Sequence, residues 1–264
     1  MKIATWNINS VRLRIANVAR YLAEAQPDVL CLQEIKTVDD TFPDAAFEAL
    51  GYRYRSVHGM KGYNGVAIIS RVPFTPLEMR GWYGLADRRH VSVRLENGVE
   101  LHNFYVPAGG DIADPDENPK FAHKLGFLDE VTAHFADLAI EAPGVNRILV
   151  GDLNIAPLET DVWSHKQLLD VVSHTPIEVK KLDAWRDRGG FVDAVRKIIH
   201  PSRPLFSWWS YRAKDWDAAD RGRRLDHIWV TPGLTADIET AEIAREMRGW
   251  IQPSDHVPVT ITLA

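Results

Sequence analysis

Residues 147–154 read RILVGDLN, an apolar run that ends in glycine, aspartate and asparagine. A continuous apolar run of this kind predicts a strand buried within the core. The polar end of such a strand lies at the rim of the core, where loops carry functional side chains. Asp152 and Asn154 are therefore the first candidate site residues.

Four other segments combine apolar residues with carboxylates or carboxamides in the same way: TWNIN at 5–9, LCLQE at 30–34, RLDHIW at 224–229 and PSDH at 253–256. The residues expected to converge are Asn7, Glu34, Asp152, Asn154, Asp226, Asp255 and His256. In the alternative interpretation each is a separate cap or turn former, a common role of Asp and Asn. Five such segments in one chain favour a shared site.

The rest of the chain mixes strands with helices and has no repeat or linker. Expected strands cover 2–8, 29–34, 53–59, 65–71, 90–96, 100–106, 147–154, 205–212, 225–230 and 257–263, with a hairpin at Asn97-Gly98. Expected helices follow a Ser10 cap up to Pro27 and cover 45–50, 121–139, 161–169, 179–187 and 192–199. This mixture favours a layered α/β protein with mixed sheets, in a single domain over residues 1–264.

Composition excludes several classes of protein. With 45% hydrophobic and 25% charged residues, the 264-residue chain is typical of a globular protein. No apolar stretch reaches the roughly 18 residues of a membrane span, and the lone Cys31 lies in the apolar run VLCLQ, so a buried thiol in the cytoplasm is expected. A net charge of −5 argues against binding through phosphate contacts alone. Either positive charge is concentrated on one face, or the acidic residues bind a divalent cation.

The chemistry of the expected cluster points to phosphate-ester hydrolysis. Oxygen ligands without a cysteine cage suit Mg²⁺ or Mn²⁺. Such a cation polarises a phosphoryl oxygen, while a carboxylate handles the attacking water. Asp226 and His256 are an expected orienting pair. The sequences GxxxxGK[ST], HExxH and GxSxG are absent, and Ser207 and Ser210 have no evident base, so a nucleotide cofactor and serine hydrolysis are not expected.

Two further features stay open at this point. Arg221, Arg223 and Arg224, with Arg212 and Lys214 nearby, would either contact a phosphate backbone or form a solvated loop balanced by neighbouring aspartates. Trp208-Trp209 lies in an expected strand, so one indole is expected in the core and the other is free to stack on a ligand.

The order of motifs along the whole chain resembles the exonuclease III family of apurinic/apyrimidinic endonucleases, within the DNase I-like endonuclease/exonuclease/phosphatase superfamily. The matching segments are TWNINSVR, LCLQEIK, GYNGVAIISR, NFYVPAGG, GDLNIAP, FSWWSYR, GRRLDHIWV and SDHVPV. The resemblance implies a four-layer α/β/β/α sandwich, in which two mixed β-sheets pack face to face and the site lies at one edge. It also implies a Mg²⁺-dependent DNA repair nuclease, with Mn²⁺ as a substitute, that cleaves duplex DNA 5′ to an abasic site, leaves a 3′-hydroxyl and removes 3′ blocks or nucleotides. The sequence has no signature of an oligomer, and a monomer is the plain expectation.

The resemblance also implies roles for individual residues. Glu34 is similar to the principal metal ligand, and the full set implied around the metal is Asn7, Glu34, Asp152, Asn154, Asp255 and His256. Asp152 would activate water, Asn154 and Tyr105 would bind the scissile phosphate, and His256, oriented by Asp226, would contact a phosphate oxygen or act as the base. Asn9 stands where some relatives have aspartate.

On the DNA side, Trp208 and Leu225 are similar to the walls of the pocket for an extruded abasic sugar. The full set of expected substrate contacts is Lys36, Tyr63, Asn64, Trp208, Arg224 and Leu225. Two positions depart from the family pattern. Arg223 stands where relatives often have an apolar or aromatic pocket residue, and Ala108-Gly109-Gly110 lacks larger polar side chains.

Three alternatives remain: an enzyme that mainly trims 3′ ends, a superfamily phosphoesterase acting on RNA, inositol phosphate or a phospholipid head group, and a non-catalytic DNA-binding module. Trp208 and the pairing of Asn154 with Leu225 favour DNA, and the filled carboxylate positions favour catalysis.

Overall fold

The computed structural model describes residues 1–264 and contains fourteen strands. They are β1 (Lys2–Asn7), β2 (Val29–Gln33), β3 (Tyr54–His58), β4 (Val66–Ser70), β5 (Phe74–Pro76), β6 (His90–Leu95), β7 (Glu100–Tyr105), β8 (Arg147–Asp152), β9 (Val192–Asp193), β10 (Trp208–Trp209), β11 (Gly222–Arg223), β12 (Asp226–Val230), β13 (Ile238–Ile243) and β14 (Val259–Leu263). One six-stranded sheet has the order β13-β14-β1-β2-β4-β3, and the other has the order β5-β6-β7-β8-β12-β9. Strands β10 and β11 form a separate ribbon.

Seven α-helices accompany the sheets, and none of the helices is long and apolar enough to cross a membrane. They are α1 (Ile15–Ala25), α2 (Asp44–Glu48), α3 (Pro119–Glu141), α4 (His165–Leu168), α5 (Pro176–Arg188), α6 (Ala194–Ile198) and α7 (Trp216–Ala219). Four short 3₁₀ turns lie at Asp39–Thr41, Glu159–Asp161, Pro232–Asp237 and Arg245–Gly249.

The strands alternate their side chains between two apolar layers, which produces the expected four-layer sandwich. In β2, Val29 and Cys31 face the second sheet, whereas Leu30 and Leu32 pack beneath α1 and α2. On the far side of the second sheet, a third cluster joins Phe104 to the aromatic and aliphatic residues of α3 and α5. The buried thiol expected at Cys31 is confirmed, and burial raises its pKa.

Strand pairing brings three of the candidate residues to one sheet edge. Strands β7 and β8 are parallel and place Tyr105 opposite Asp152. Strand β12 runs antiparallel to β8 and places Asp226 opposite the same residue. Asp152 therefore has a tyrosine on one side and a second carboxylate on the other.

Gly151 permits this close pairing immediately before Asp152. Its φ is 145°, and a Cβ atom there would lie 1.9 Å from the Phe104 carbonyl oxygen. Only glycine avoids that overlap, because any side chain would collide with the backbone of β7.

Several expected element boundaries were wrong for local reasons. Ser10 does not cap a helix, because its φ of 87° is left-handed whereas a cap residue is extended, and α1 begins at Ile15. Helix α5 begins at Pro176 because Thr175 and Glu178 form a capping box. Strand β13 was not predicted, since it is a half-exposed edge strand with alternating polar residues. The Asn97-Gly98 hairpin between β6 and β7 is confirmed.

Candidate active site

The candidate residues meet around one cavity of about 260 Å³ at the edge of the two sheets. Its lining comprises Asn7, Glu34, Tyr105, Ala108, Gly110, Asp152, Asn154, Val172, Ser173, Trp208, Arg223, Leu225, Asp255 and His256. Polar and charged groups form one side, while Val172, Trp208 and Leu225 contribute apolar surface. Strand ends separated by more than 200 residues in sequence therefore share a single concave site.

His256 lies between two carboxylates. Its Nδ1 is 2.8 Å from Asp226 Oδ2, and its Nε2 is 3.6 Å from Asp152 Oδ2. Ser207 donates a hydrogen bond of 2.6 Å to the same Asp226 oxygen. Asp152, Asp226 and His256 are all buried, so the attraction of the imidazolium to both carboxylates, and the repulsion between the carboxylates, are weakly screened.

This arrangement changes the proton affinities of the cluster. Burial alone would lower the pKa of His256, but the charges of Asp226 and Asp152 outweigh burial and raise it. Burial also raises the pKa of Asp152, and the nearby His256 only partly offsets that effect. The geometry thus holds a protonated imidazole beside a carboxyl group with increased proton affinity.

Asn7 links Asp152 to Glu34. Its Nδ2 donates hydrogen bonds of 2.8 Å to Asp152 Oδ2 and 3.1 Å to Glu34 Oε2. Lys36 Nζ lies 2.8 Å from the other Glu34 oxygen and also contacts Asn9 Oδ1 at 2.6 Å. Glu34 is consequently fixed at the cavity wall by groups from β1 and from the loop that follows β2.

Asp255 also lines the cavity, and both of its side-chain oxygens accept hydrogen bonds. Asn9 Nδ2 donates to Oδ1 at 3.1 Å, and Trp208 Nε1 donates to Oδ2 at 3.0 Å. Burial would raise the pKa of Asp255, yet the charge of His256 and these two hydrogen bonds lower it. Asp255 is therefore an ionised carboxylate, and it fixes the indole of Trp208.

Asn154 and Tyr105 complete the polar wall. The side-chain nitrogen of Asn154, Nδ2, donates to the Val106 carbonyl at 2.9 Å and to Asp152 Oδ2 at 3.3 Å. Burial raises the pKa of Tyr105, and the charges of Glu34 and Asp152 raise it further. The Tyr105 hydroxyl is therefore neutral and able to donate a hydrogen bond.

Left-handed backbone recurs among these residues. The φ angles are 54° at Glu34, 52° at Lys36, 51° at Asn64 and 53° at Asn154. Such a conformation costs a residue other than glycine roughly 1–2 kcal/mol. Hydrogen bonds from Ile35 N to the Gly65 carbonyl and from Lys36 N to the Asn64 carbonyl hold the loop after β2 in this shape.

The donor set fits a hard divalent cation. Glu34, Asp152 and Asp255 bring carboxylate oxygens to the cavity, Asn7 adds a carboxamide, and no thiolate is present. Carboxylate and amide oxygens are the ligands that Mg²⁺ and Mn²⁺ prefer. Asp152, Asp226 and His256 also have ligand atoms within 4.8 Å of one another. Because both ring nitrogens of His256 face carboxylates, the geometry favours hydrogen bonding by this ring over metal ligation.

The structure places the expected substrate contacts in different surroundings. Trp208 and Leu225 line the cavity, Lys36 contacts Glu34, and the Tyr63 side chain is exposed. Asn64 is buried and donates to the Asp87 carbonyl at 3.0 Å. The expectation that one of the two adjacent indoles lies in the core is confirmed, since Trp209 is buried.

The prediction that Arg224 contacts substrate was wrong. Its side chain is fully buried, with Nη2 2.6 Å from Asp193 Oδ2 and Nη1 3.6 Å from Asp161 Oδ2. Those two carboxylates raise the pKa of Arg224 despite burial, which alone would lower it. Arg224 is a structural cation that joins the link between β11 and β12 to two other segments.

Sequence reasoning missed three supporting residues. Ser207 orients Asp226, and Ser254 donates to the Asn7 carbonyl at 2.7 Å while accepting from the His256 N–H. Lys124, fully buried, donates to the Asn154 carbonyl at 2.8 Å and lies 2.5 Å from Glu178. Ser254 belongs to the PSDH segment, so its position beside Asp255 was the available signal. Lys124 lies in the middle of α3 and gave no such signal.

Comparison with known proteins gives consistent similarities along the whole chain. Residues 4–256 match the Endonuclease/Exonuclease/phosphatase family. The chain is 32% identical to exodeoxyribonuclease III of Haemophilus influenzae, over 98% of either protein. It resembles the structure of an AP endonuclease from Archaeoglobus fulgidus with a TM-score of 0.91 and 31% identity, covering 100% of this chain and 99% of the other. For a Neisseria 3′ phosphatase bound to product DNA hairpin, the TM-score is 0.89 and the identity 33%, with the same coverage.

Proposed function

The chain belongs to the Endonuclease/Exonuclease/phosphatase family, and from that premise we propose that it is a metal-dependent DNA repair nuclease. It cleaves the phosphodiester bond 5′ to an abasic site in duplex DNA and leaves a 3′-hydroxyl. It also removes phosphate groups and nucleotides from 3′ ends. The observation that carries this proposal is the shared cavity of Glu34, Asp152 and His256.

We assign Mg²⁺, replaceable by Mn²⁺, to the oxygens of Asn7, Glu34 and Asp255. When bound, the cation supplies positive charge that polarises a phosphoryl oxygen and offsets charge on the leaving oxygen. The hydrogen bonds from Asn7 to Glu34 and from Asn9 to Asp255 support this assignment, because they orient two of the carboxylates before any ligand binds.

Asp152 accepts a proton from the attacking water. Burial raises its pKa, and a carboxylate with increased proton affinity is a better base than an ordinary aspartate. Asn7 Nδ2 donates to this carboxylate at 2.8 Å, and the backbone N–H of Asn154 donates to it at 3.0 Å. Both hydrogen bonds fix its direction. The water-activating group is therefore held rigidly on the strand end of β8.

Three side chains bind the scissile phosphate. Protonated His256 donates to a non-bridging oxygen, and Tyr105 donates through its neutral hydroxyl. One Asn154 N–H stays on the Val106 carbonyl, while the other exchanges its 3.3 Å contact with Asp152 for a phosphate oxygen. Donors placed in advance around the developing charge are an effective source of transition-state stabilisation.

The apolar side of the cavity receives the extruded abasic sugar. Trp208, Leu225 and Val172 offer apolar surface to a sugar without a base. The hydrogen bond from Trp208 Nε1 to Asp255 fixes the indole wall relative to the proposed metal site. Recognition of the lesion and cleavage are thereby coupled.

A substrate panel tests the proposal. The purified protein, with Mg²⁺ or with EDTA, is incubated with duplexes that carry an abasic site, a 3′-phosphate or an intact 3′ end, and with RNA. We expect cleavage 5′ to the abasic site and 3′-phosphate release only with metal. Action on 3′ ends alone would identify a trimming enzyme, preference for RNA another phosphoesterase, and binding without turnover a DNA-binding module.

We further propose that the protein acts as a monomer in the cytoplasm. One chain supplies every residue of the cavity. Its lone cysteine, Cys31, is fully buried in the core between the sheets and suits a reducing compartment. Gel filtration with light scattering measures the mass of the free protein, and a particle of twice 29.8 kDa would contradict the monomer.

A further inference from the structure

Arg223 lies in the wall of the cavity, next to the apolar surface. It pairs with Trp208 across the β10–β11 ribbon, and its guanidinium carbon is 5.4 Å from the centre of the indole ring. Nη1 donates hydrogen bonds to the Val172 carbonyl at 3.0 Å and to Ser173 Oγ at 2.7 Å. One end of the guanidinium is therefore anchored by the wall itself.

The charge of Arg223 has no carboxylate partner. No acidic oxygen lies within 4.0 Å of it, in contrast to its neighbour Arg224, which pairs with two aspartates. Burial lowers the pKa of Arg223, and Glu178 offsets this only in part. Glu178 already lies 2.5 Å from Lys124. A half-buried cation without a counter-ion is unfavourable unless a ligand supplies the missing charge.

The unused donors of Arg223 have a defined geometry. Nε is buried and has no hydrogen-bond partner, and Nη2 makes no hydrogen bond to the protein. These two nitrogens form one edge of the guanidinium plane, and such an edge matches two oxygens of a phosphate or carboxylate group. The anchored Nη1 and the stack on Trp208 leave Nη2 free of protein hydrogen bonds, with the unpartnered Nε beside it.

We propose that Arg223 is a specificity-determining residue that directs this enzyme towards DNA ends carrying a 3′-phosphate. The inference rests on the proposed function, because it assigns the second anion contact of the same cavity. A terminal phosphate monoester carries more negative charge than an internal diester, so the guanidinium of Arg223 attracts it more strongly. An extruded abasic sugar is neutral and gains nothing from the guanidinium.

The reaction favoured is hydrolysis of the monoester. Water adds to phosphorus and gives up one proton to Asp152, the bond between phosphorus and the 3′ oxygen breaks, and that oxygen takes up a proton from solvent. The products are a 3′-hydroxyl end and inorganic phosphate. Arg223 contacts the phosphate oxygen that is free in the monoester and that carries the next nucleotide in a diester.

Matched variants test the assignment. The value of kcat/KM is measured on a duplex with a 3′-phosphate at a gap and on a duplex with one abasic site. We expect Arg223→Leu to lower 3′-phosphate release relative to abasic cleavage by about tenfold or more, because one charged hydrogen-bonding edge is lost. Arg223→Lys retains the charge but not the two-nitrogen edge, so we expect a preference between those of the wild type and Arg223→Leu. Arg20→Leu removes an arginine stacked on Trp250, 4.0 Å away and outside the cavity, and leaves the ratio unchanged.

Thermal melting checks that Arg223→Leu folds. If it does not, Arg223→Gln, which retains amide donors for Val172 and Ser173, takes its place. An unchanged ratio in the neutral variant would overturn the assignment.

A wild-type protein that acts on neither duplex refutes the proposed function instead. In that case, the affinities of the wild type and the neutral variant are measured in EDTA for two oligonucleotides, one with a 3′-phosphate end and one with a 3′-hydroxyl end. A 3′-phosphate preference lost in the neutral variant supports the assignment, whereas equal preference in both proteins contradicts it.

Discussion

His256 and Asp226 are joined by a hydrogen bond of 2.8 Å between Nδ1 and Oδ2, in a buried environment at the edge of the second sheet. The pair lies where the antiparallel register of β12 and β8 sets Asp226 opposite Asp152. Because the imidazole then faces carboxylates at both nitrogens, it is held protonated and fixed in orientation. The proposed contact between His256 and the scissile phosphate depends on this relationship.

Asp226→Asn is therefore expected to reduce kcat by about 100-fold or more, since the substitution removes the charge that keeps His256 protonated. Without that charge the pKa of His256 falls, so activity is lost at a lower alkaline pH than in the wild type. Rate profiles from pH 6 to 10 measure both effects. Asp137→Asn, on the exposed face of α3, serves as the control. An Asp226→Asn profile that overlays the wild-type profile contradicts the role of the pair.

Substitutions of Glu34 and Asp152 are expected to separate metal binding from chemistry. Glu34→Gln raises the Mg²⁺ concentration for half-maximal activity at least about tenfold, because a charged ligand is lost. Asp152→Asn lowers the rate at saturating Mg²⁺ by about 100-fold or more, because the base is lost. Metal titrations of the cleavage rate distinguish the two. The opposite assignment of defects, or near-normal turnover of Asp152→Asn, contradicts the proposed roles.

The ion pair between Lys124 and Glu178 is expected to contribute strongly to stability. Both side chains are fully buried, so Lys124→Met leaves the Glu178 carboxylate without its counter-ion and lowers the free energy of unfolding by about 3–5 kcal/mol. Lys181→Met breaks the pair with Asp129, which has a largely exposed carboxylate, and costs about 1 kcal/mol or less. Urea denaturation of both variants gives the comparison. Equal losses would show that burial of Lys124 has been misjudged.

Gly151→Ala is expected to be the most damaging small substitution. The added methyl group would lie 1.9 Å from the Phe104 carbonyl oxygen, so β7 and β8 must separate at Asp152. We expect a loss of about 4 kcal/mol or more in the free energy of unfolding. Gly144→Ala, where nothing lies within 4 Å of the added atom, provides the matched control. A stable, active Gly151→Ala protein would contradict the strand register at the site.

Buried neutral histidine makes stability depend on pH. Burial lowers the pKa of His102 to about 3, with Glu100 opposing the change. The unfolded chain binds a proton near pH 6.5 and the folded chain does not, so the stabilisation is complete above about pH 6.5 and is lost as pH falls towards 3. At pH 5 the loss from this residue is about 2 kcal/mol. Urea denaturation at pH 7 and pH 5 should show that His102→Gln has a smaller loss, and identical losses in the two proteins contradict this account.

Much of the site could be predicted because it lies on strand ends. The change from apolar to polar residues marks in the sequence where a buried strand leaves the core. This pattern predicts Asn7, Glu34, Asp152 and Asp255 as site residues without knowledge of their spatial arrangement. Burial of charge is different, since it depends on partners elsewhere in the chain. Arg224 was misread for this reason: its aspartate partners lie at positions 161 and 193.

Local capping signals also compete with tertiary contacts. Serine is a common helix cap, but Ser10 donates its N–H to the Glu34 carbonyl of the loop after β2 and has a φ of 87°, which is not the conformation of a cap. Ser207 was judged only as a nucleophile, although its contribution is a 2.6 Å hydrogen bond to Asp226. Such supporting roles are visible only when the partner's position is known.

The most direct test of metal-dependent cleavage is a single-turnover reaction on a 5′-labelled duplex with one abasic site. With Mg²⁺ we expect a single product that ends in a 3′-hydroxyl at the nucleotide before the lesion, no product in EDTA, and full recovery when Mg²⁺ is added back in excess. Cleavage at an undiminished rate in EDTA, or a product that ends in an unsaturated 3′ aldehyde, would contradict hydrolysis by this site.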